Sequence, residues 1–156
     1  MTKKQIERFV KKVSPYDNVD IYYIYDDSKN HYFAVAKYWM PRFLKPWRPL
    51  CQIHINEYCL PTSTDLFIKG ALLHEVGHFV IRENMPQSLK EFKVHSWAVE
   101  KAESLGMVDV KRELVKSLRD WQYVNWNSTI YPRRYILAYK LAIKDKKWAK
   151  KHGLIV

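Results

Sequence analysis

Residues 66–81, LFIKGALLHEVGHFVI, constrain the fold of this chain more than any other stretch. The run is apolar along most of its length and good at forming helix, so it reads as a helix with little surface left to water. Into it are set His74 and His78, with Glu75 directly after the first. A helix turns once in about 3.6 residues, so the two imidazoles leave one face a turn apart. Two histidines so placed can hold one metal ion, and Glu75, pointing slightly aside, can reach a water beside it.

The flanks favour that reading over a pair of core histidines. Leu72, Leu73, Val76, Gly77, Phe79 and Val80 are all uncharged, as a helix carrying a buried ion requires. Gly77 lets another segment come close, at a cost of about 1 kcal/mol of helix propensity relative to alanine. A hydrolytic zinc site uses three protein ligands and leaves one position open. The next helix, read from Ser88 to about Leu105 and closed by Gly106, offers Glu91 and His95, which share a face. Glu91 also suits a capping box with Ser88. The residues alone leave Glu91 and His95 both open as third ligand.

The remaining pattern gives α+β. Ile6, Phe9, Val10 and Val13 mark a short amphipathic helix over 3–13. The β-branched and aromatic runs 19–25 and 32–39 flank the turn-type DDSKNH and read as a hairpin. MPRFLKPWRP, over 40–49, reads as loop, and CQIHINEY, over 51–58, alternates as a strand with one wet face. Thr64 or Ser63 can cap the central helix. Asn84-Met85-Pro86 ends it, and further helices are expected over 109–124 and 132–151, separated by NWNSTIYP. The expectation is one domain over 1–156, a small, mainly antiparallel N-terminal sheet packed on a helical remainder.

Charge and composition narrow the setting. With 27 Lys and Arg against 16 Asp and Glu, the chain carries a formal +11, which suits acidic partners such as nucleic acid and equally suits plain solubility. Cys51 and Cys59 are too few for a disulfide framework or an all-cysteine zinc site, and read as reduced thiols. MTKKQIERFVKKV has no apolar core of a signal peptide, and no run approaches a membrane span. A cytoplasmic protein is expected. No phosphate-binding glycine loop or GxSxG nucleophile motif is present.

HEVGH at 74–78, followed by Glu91-Phe92-Lys93-Val94-His95-Ser96-Trp97-Ala98, resembles the HExxH and glutamate helices of gluzincin metallopeptidases, especially compact ImmA/IrrE-like members. His95 stands where that family usually has aspartate or asparagine. The resemblance implies a zincin-like fold with the HExxH helix at its centre and one Zn2+ held by His74, His78 and Glu91. It makes Glu75 the general base and a peptide or protein the substrate. It extends weakly to Ile53-His54-Ile55-Asn56, likened to the family's substrate-pairing edge strand. In all it covers roughly residues 51–106. A transition-state donor is expected from the C-terminal region, with Tyr131 and Tyr135 the nearest choices. A lesser likeness is to SprT-type proteases, which act on DNA–protein crosslinks. Phe92-Lys93 and Trp97 echo their motif, but the tryptophan is two places late and Ser88 occupies the expected histidine position. Other readings are a regulatory zinc-binding protein with latent or no peptidase activity, and a closed structural site using His95 as a fourth ligand.

Overall fold

A computed structural model describes residues 1–27, 33–39, 50–123 and 130–156; of Trp39, Leu50, Ile130, Tyr131 and Pro132 only the backbone is described. The expected DDSKNH turn, the loop over 40–49 and the NWNSTIYP connector lie wholly or partly outside those residues. The chain is α+β and forms two compact units, Met1–Val80 and Ile81–Val156.

The first unit contains helix α1 (Lys3–Val13), strands β1 (Val19–Ile24), β2 (Ala34–Trp39) and β3 (Leu50–Asn56), a 3-10 turn over Glu57–Thr62, and helix α2 (Asp65–Val80). Helix α1 starts at a capping box, with Thr2 and Gln5 each satisfying the other's backbone N–H, and it buries the expected stripe Ile6, Phe9, Val10 and Val13. Thr64 caps α2 as expected, its Oγ1 accepting from Phe67 N at 3.2 Å. Helix α2 is buried on most sides and packs on β2 and α1.

The expected hairpin does not form. Strand β3 lies between β1 and β2, parallel to the first and antiparallel to the second, so the sheet is mixed rather than mainly antiparallel. The physical reason lies in the side chains. Strand β3 carries Cys51, Ile53 and Ile55, all fully buried, and takes the position flanked on both sides. Strand β1 leaves Asp20, Tyr22 and Ile24 exposed, and β2 leaves Val35 and Lys37 exposed, as edge strands tolerate.

The second unit is helical: α3 (Gln87–Ser104), α4 (Val108–Asp120), a 3-10 turn over Trp121–Tyr123, α5 (Ile130–Lys144) and α6 (Lys146–Lys151). Helix α3 packs on both α4 and α5. Ala98 and Ala102 on α3, and Ala138 and Ala142 on α5, are fully buried at helical spacing, which suits close helix approach. Helix α3 begins after Pro86 without a side-chain cap, so Ser88 is inside the helix and the expected capping box is not made. Gly106 ends it in the left-handed region at φ 68, with Met107 N bonding back to Ala102 O at 2.9 Å. The single helix expected over 132–151 is broken at Asp145, whose carboxylate accepts from Trp148 N at 3.0 Å and starts α6.

Candidate metal site

His74 and His78 project from α2 one turn apart, their ring centroids 5.0 Å apart and nearly perpendicular. His74 is buried and His78 half-buried. Leu72, Leu73, Val76 and Phe79 around them are fully buried, so the helix is fixed by its apolar neighbours. Glu75, next to His74, turns toward the sheet: its Oε2 accepts from Ala36 N of β2 at 2.7 Å. Phe33 O accepts from Asn56 N at 2.8 Å, so the odd-numbered residues of this stretch bond toward β3. Alternation then sends the amide groups of Ala34 and Ala36 to the outer edge of β2. Glu75 therefore sits at that edge, with which no strand pairs among the described residues.

Glu91 lies in α3 and is 1% exposed, a depth at which a carboxylate needs compensation. Arg134 of α5 supplies it, with Nη2 3.1 Å from Glu91 Oε1. The same guanidinium is 3.4 Å from the Tyr135 hydroxyl, so Glu91, Arg134 and Tyr135 form a chain of polar contacts. Tyr135 packs on Trp121 at 4.7 Å between centroids, and His95 packs on the other partner of that stack, Trp121, at the same separation.

The atoms that His74, His78 and Glu91 can offer to a metal all lie within 4.8 Å of one another. Two imidazole nitrogens and a carboxylate oxygen are a donor set that zinc and other divalent ions accept. The three residues could therefore hold a metal ion.

His95 is not in that group. Its Nε2 lies 2.8 Å from the Leu114 carbonyl oxygen, which only accepts, so this nitrogen carries the proton and donates. Of the two candidates for third ligand, Glu91 joins the histidines and His95 is turned to a backbone carbonyl.

The stretch Ile53–Asn56 is placed differently from expectation. It belongs to the central strand, paired by β1 and β2, so its backbone is already engaged and no substrate strand can add to it. Ile53 and Ile55 are fully buried. His54 stands on the opposite face of the sheet, 3.2 Å from Gln52 Oε1 and 5.2 Å from the Tyr22 ring centroid; partial burial, then Lys37, lowers its pKa. Asn56 is a structural clamp. Its Oδ1 accepts from Asp26 N and Tyr58 N, both at 3.1 Å, and its Nδ2 donates to Asp26 O at 2.8 Å. Those bonds tie the end of β1 to β3 and cap the 3-10 turn. Tyr131 lies on α5, but its side chain is outside the described residues.

Sequence reading missed Ala36 and Arg134. Nothing in AVAKYW marks one amide as the partner of a distant glutamate. A buried Glu91 needs a cation, but no spacing along the chain points to Arg134.

No protein-family profile matches the chain, and no curated protein or solved structure is similar to it.

Proposed function

We propose that this protein is a zinc-dependent metallopeptidase of the compact gluzincin kind, with His74, His78 and Glu91 as metal ligands and Glu75 as general base. The observation that carries the reading is the convergence of those three donor atoms within 4.8 Å, with Glu75 next in sequence to a ligand. Zinc, when bound, polarises a carbonyl and makes water acidic enough to attack it near neutral pH. Glu75 takes the proton from the attacking water and delivers it to the leaving amine. Arg134 holds the Glu91 carboxylate in place, and with the Tyr135 hydroxyl it supplies donors for charge that develops on the substrate oxygen.

The sheet supports a peptide substrate, with the expected pairing moved by one strand. The outer edge of β2 presents the amides of Ala34 and Ala36 beside Glu75, and an extended peptide can add there as a further strand. Its backbone would take the Ala36 N–H from Glu75 and release the carboxylate for proton transfer. The charge of +11 suits an acidic protein substrate or one bound to nucleic acid.

The test is hydrolysis of an unstructured protein by zinc-loaded enzyme and by Glu75→Gln. The variant should bind zinc as tightly as the parent and lose cleavage by about a hundredfold or more. A parent that binds zinc but cleaves none of a broad peptide library would leave a metal-binding protein without peptidase chemistry. Equal cleavage by parent and variant would remove Glu75 from its assigned role.

A further inference from the structure

A second site, independent of the metal reading, lies between α4 and the turn that follows α6. A cavity of about 410 Å³ is lined by Val108, Lys111, Arg112, Val115, Lys116, Arg119, His152 and Gly153. Four of those eight residues are cations and none is an acid. They follow from the helix: at 100° per residue, Lys111, Arg112, Lys116 and Arg119 fall within about 140° of arc, beside the stripe that buries Val110, Leu114 and Leu118.

The far wall is built by the chain's last turn. Gly153 has φ 72, a left-handed conformation that ends α6, and Leu154 N bonds back to Ala149 O at 2.8 Å. Arg119 Nη2 donates to Gly153 O at 3.0 Å and fixes that turn against α4, using one of its five donors. His152 is thereby carried into the cavity wall.

His152 is 6% exposed, and neither ring nitrogen has a hydrogen-bond partner among the described residues. Its nearest acid, Glu103 Oε2, is 3.9 Å from Nδ1, beyond hydrogen-bond reach. Trp148 stacks on the ring at 4.7 Å between centroids and holds it in place. The ring is shut off from solvent, so His152 serves as part of the wall and the four cations supply the donors.

The cations are not locked into internal pairs. Lys111 meets Glu103 at 2.7 Å, Arg112 meets Asp109 at 3.2 Å and Lys116 meets Asp120 at 3.4 Å. All three acids lie outside the cavity wall and are exposed, and such surface pairs are weak, so an anion with several oxygens competes well. Phosphate matches the wall best: its oxygens accept from guanidinium and ammonium N–H together.

We propose that this cavity binds a phosphate group, with Lys111, Arg112, Lys116 and Arg119 as its cations and His152 in its wall. Two sources share that chemistry, a free phosphate compound and the backbone of single-stranded nucleic acid. The experiment titrates the zinc-loaded, full chain with inorganic phosphate and, separately, with a short fluorescent oligothymidylate. Binding is followed through the imidazole resonances of His152 and through fluorescence anisotropy. Arg112→Gln with Lys116→Gln removes two exposed cations without disturbing the core and should weaken binding roughly tenfold or more. On the oligothymidylate it should flatten the slope of log affinity against log salt by about 1.4. Lys146→Gln with Lys147→Gln removes the same charge elsewhere and should leave both unchanged. Response to inorganic phosphate identifies a free phosphate site, and response to the oligothymidylate alone identifies a backbone site. Silence of His152 with both probes, or equal weakening by the Lys146/Lys147 pair, would overturn the assignment.

Discussion

Replacing Asn56 by alanine separates a structural clamp from a substrate contact. The side chain is 2% exposed and makes three hydrogen bonds, two to the backbone of Asp26 and one to Tyr58 N. Loss of the bond that caps the 3-10 turn costs about 1 kcal/mol. Each bond to Asp26 contributes about 1 kcal/mol, giving about 3 kcal/mol in all. Asp26 and Tyr58 are themselves exposed, so water restores part of the loss and the expected cost is about 2–3 kcal/mol. With a urea slope of about 2 kcal/mol/M, the unfolding midpoint seen by circular dichroism should fall by about 1–1.5 M. Asn56→Asp keeps the acceptor, loses the donor and sets a carboxylate against Asp26 O, so it should also destabilise. Zinc affinity should stay unchanged in both. A variant of parental stability whose only defect is a raised KM for peptide would refute the clamp and restore Asn56 to the substrate site.

Other consequences follow from single contacts. Arg134→Leu leaves the buried Glu91 carboxylate without that counter-charge and should cost the metal-free protein about 3 kcal/mol. Zinc should recover more stability in that variant than in the parent, as thermal melts with and without metal would show. Burial, then Lys111 and Lys151, lowers the His152 pKa below 6.5, against the weaker opposing pull of Glu103 and Glu100. The unfolded chain therefore takes up this proton first, and stability falls as pH drops through 6.5 toward the folded value. Denaturation between pH 7.5 and 5.5 should show a shallower decline in His152→Gln. Gly106 sits at φ 68 with no atom within 4 Å of an added Cβ, so Gly106→Ala meets strain but no clash. It should cost about 1–2 kcal/mol by urea unfolding. Tyr23, half-buried and facing Glu7 and Glu57, has its pKa pushed up to about 12, so its ultraviolet ionisation step should appear there rather than near 10.

Helices were legible because one face decides them. The stripe from Ile6 to Val13 and the apolar run around HEVGH each imply a buried side that needs no knowledge of the partner. Strand order was not legible, since β1 and β2 show the same alternation whether they pair with each other or with β3. The difference lies in β3, whose Cys51, Ile53 and Ile55 are buried most completely and claim the centre. Asn56 illustrates the converse: IHIN read as a peptide-binding edge, whereas its asparagine is taken up by three local bonds. The shared face of His74 and His78 was legible because it is tied to spacing along one helix, whereas spacing left Glu91 and His95 equal and only Glu91 joins the metal-capable group. Arg134 was not legible, because a counter-ion across two helices leaves no period in the sequence. The break at Asp145 was hidden for a related reason: one short carboxylate capping Trp148 N outweighs an otherwise continuous helical pattern.

Zinc binding by the parent, Glu91→Ala and His95→Ala, measured by competition with a chromophoric chelator and by X-ray absorption at the zinc edge, bears most directly on the metal group. The parent should hold one zinc per chain, with two imidazoles and one carboxylate in the first coordination sphere. Glu91→Ala should lose at least about tenfold in affinity together with the carboxylate signal, and His95→Ala should retain both imidazoles. A parent that takes up no zinc, or a Glu91→Ala variant with unaltered affinity and spectrum, would contradict the assignment of His74, His78 and Glu91 as one metal site.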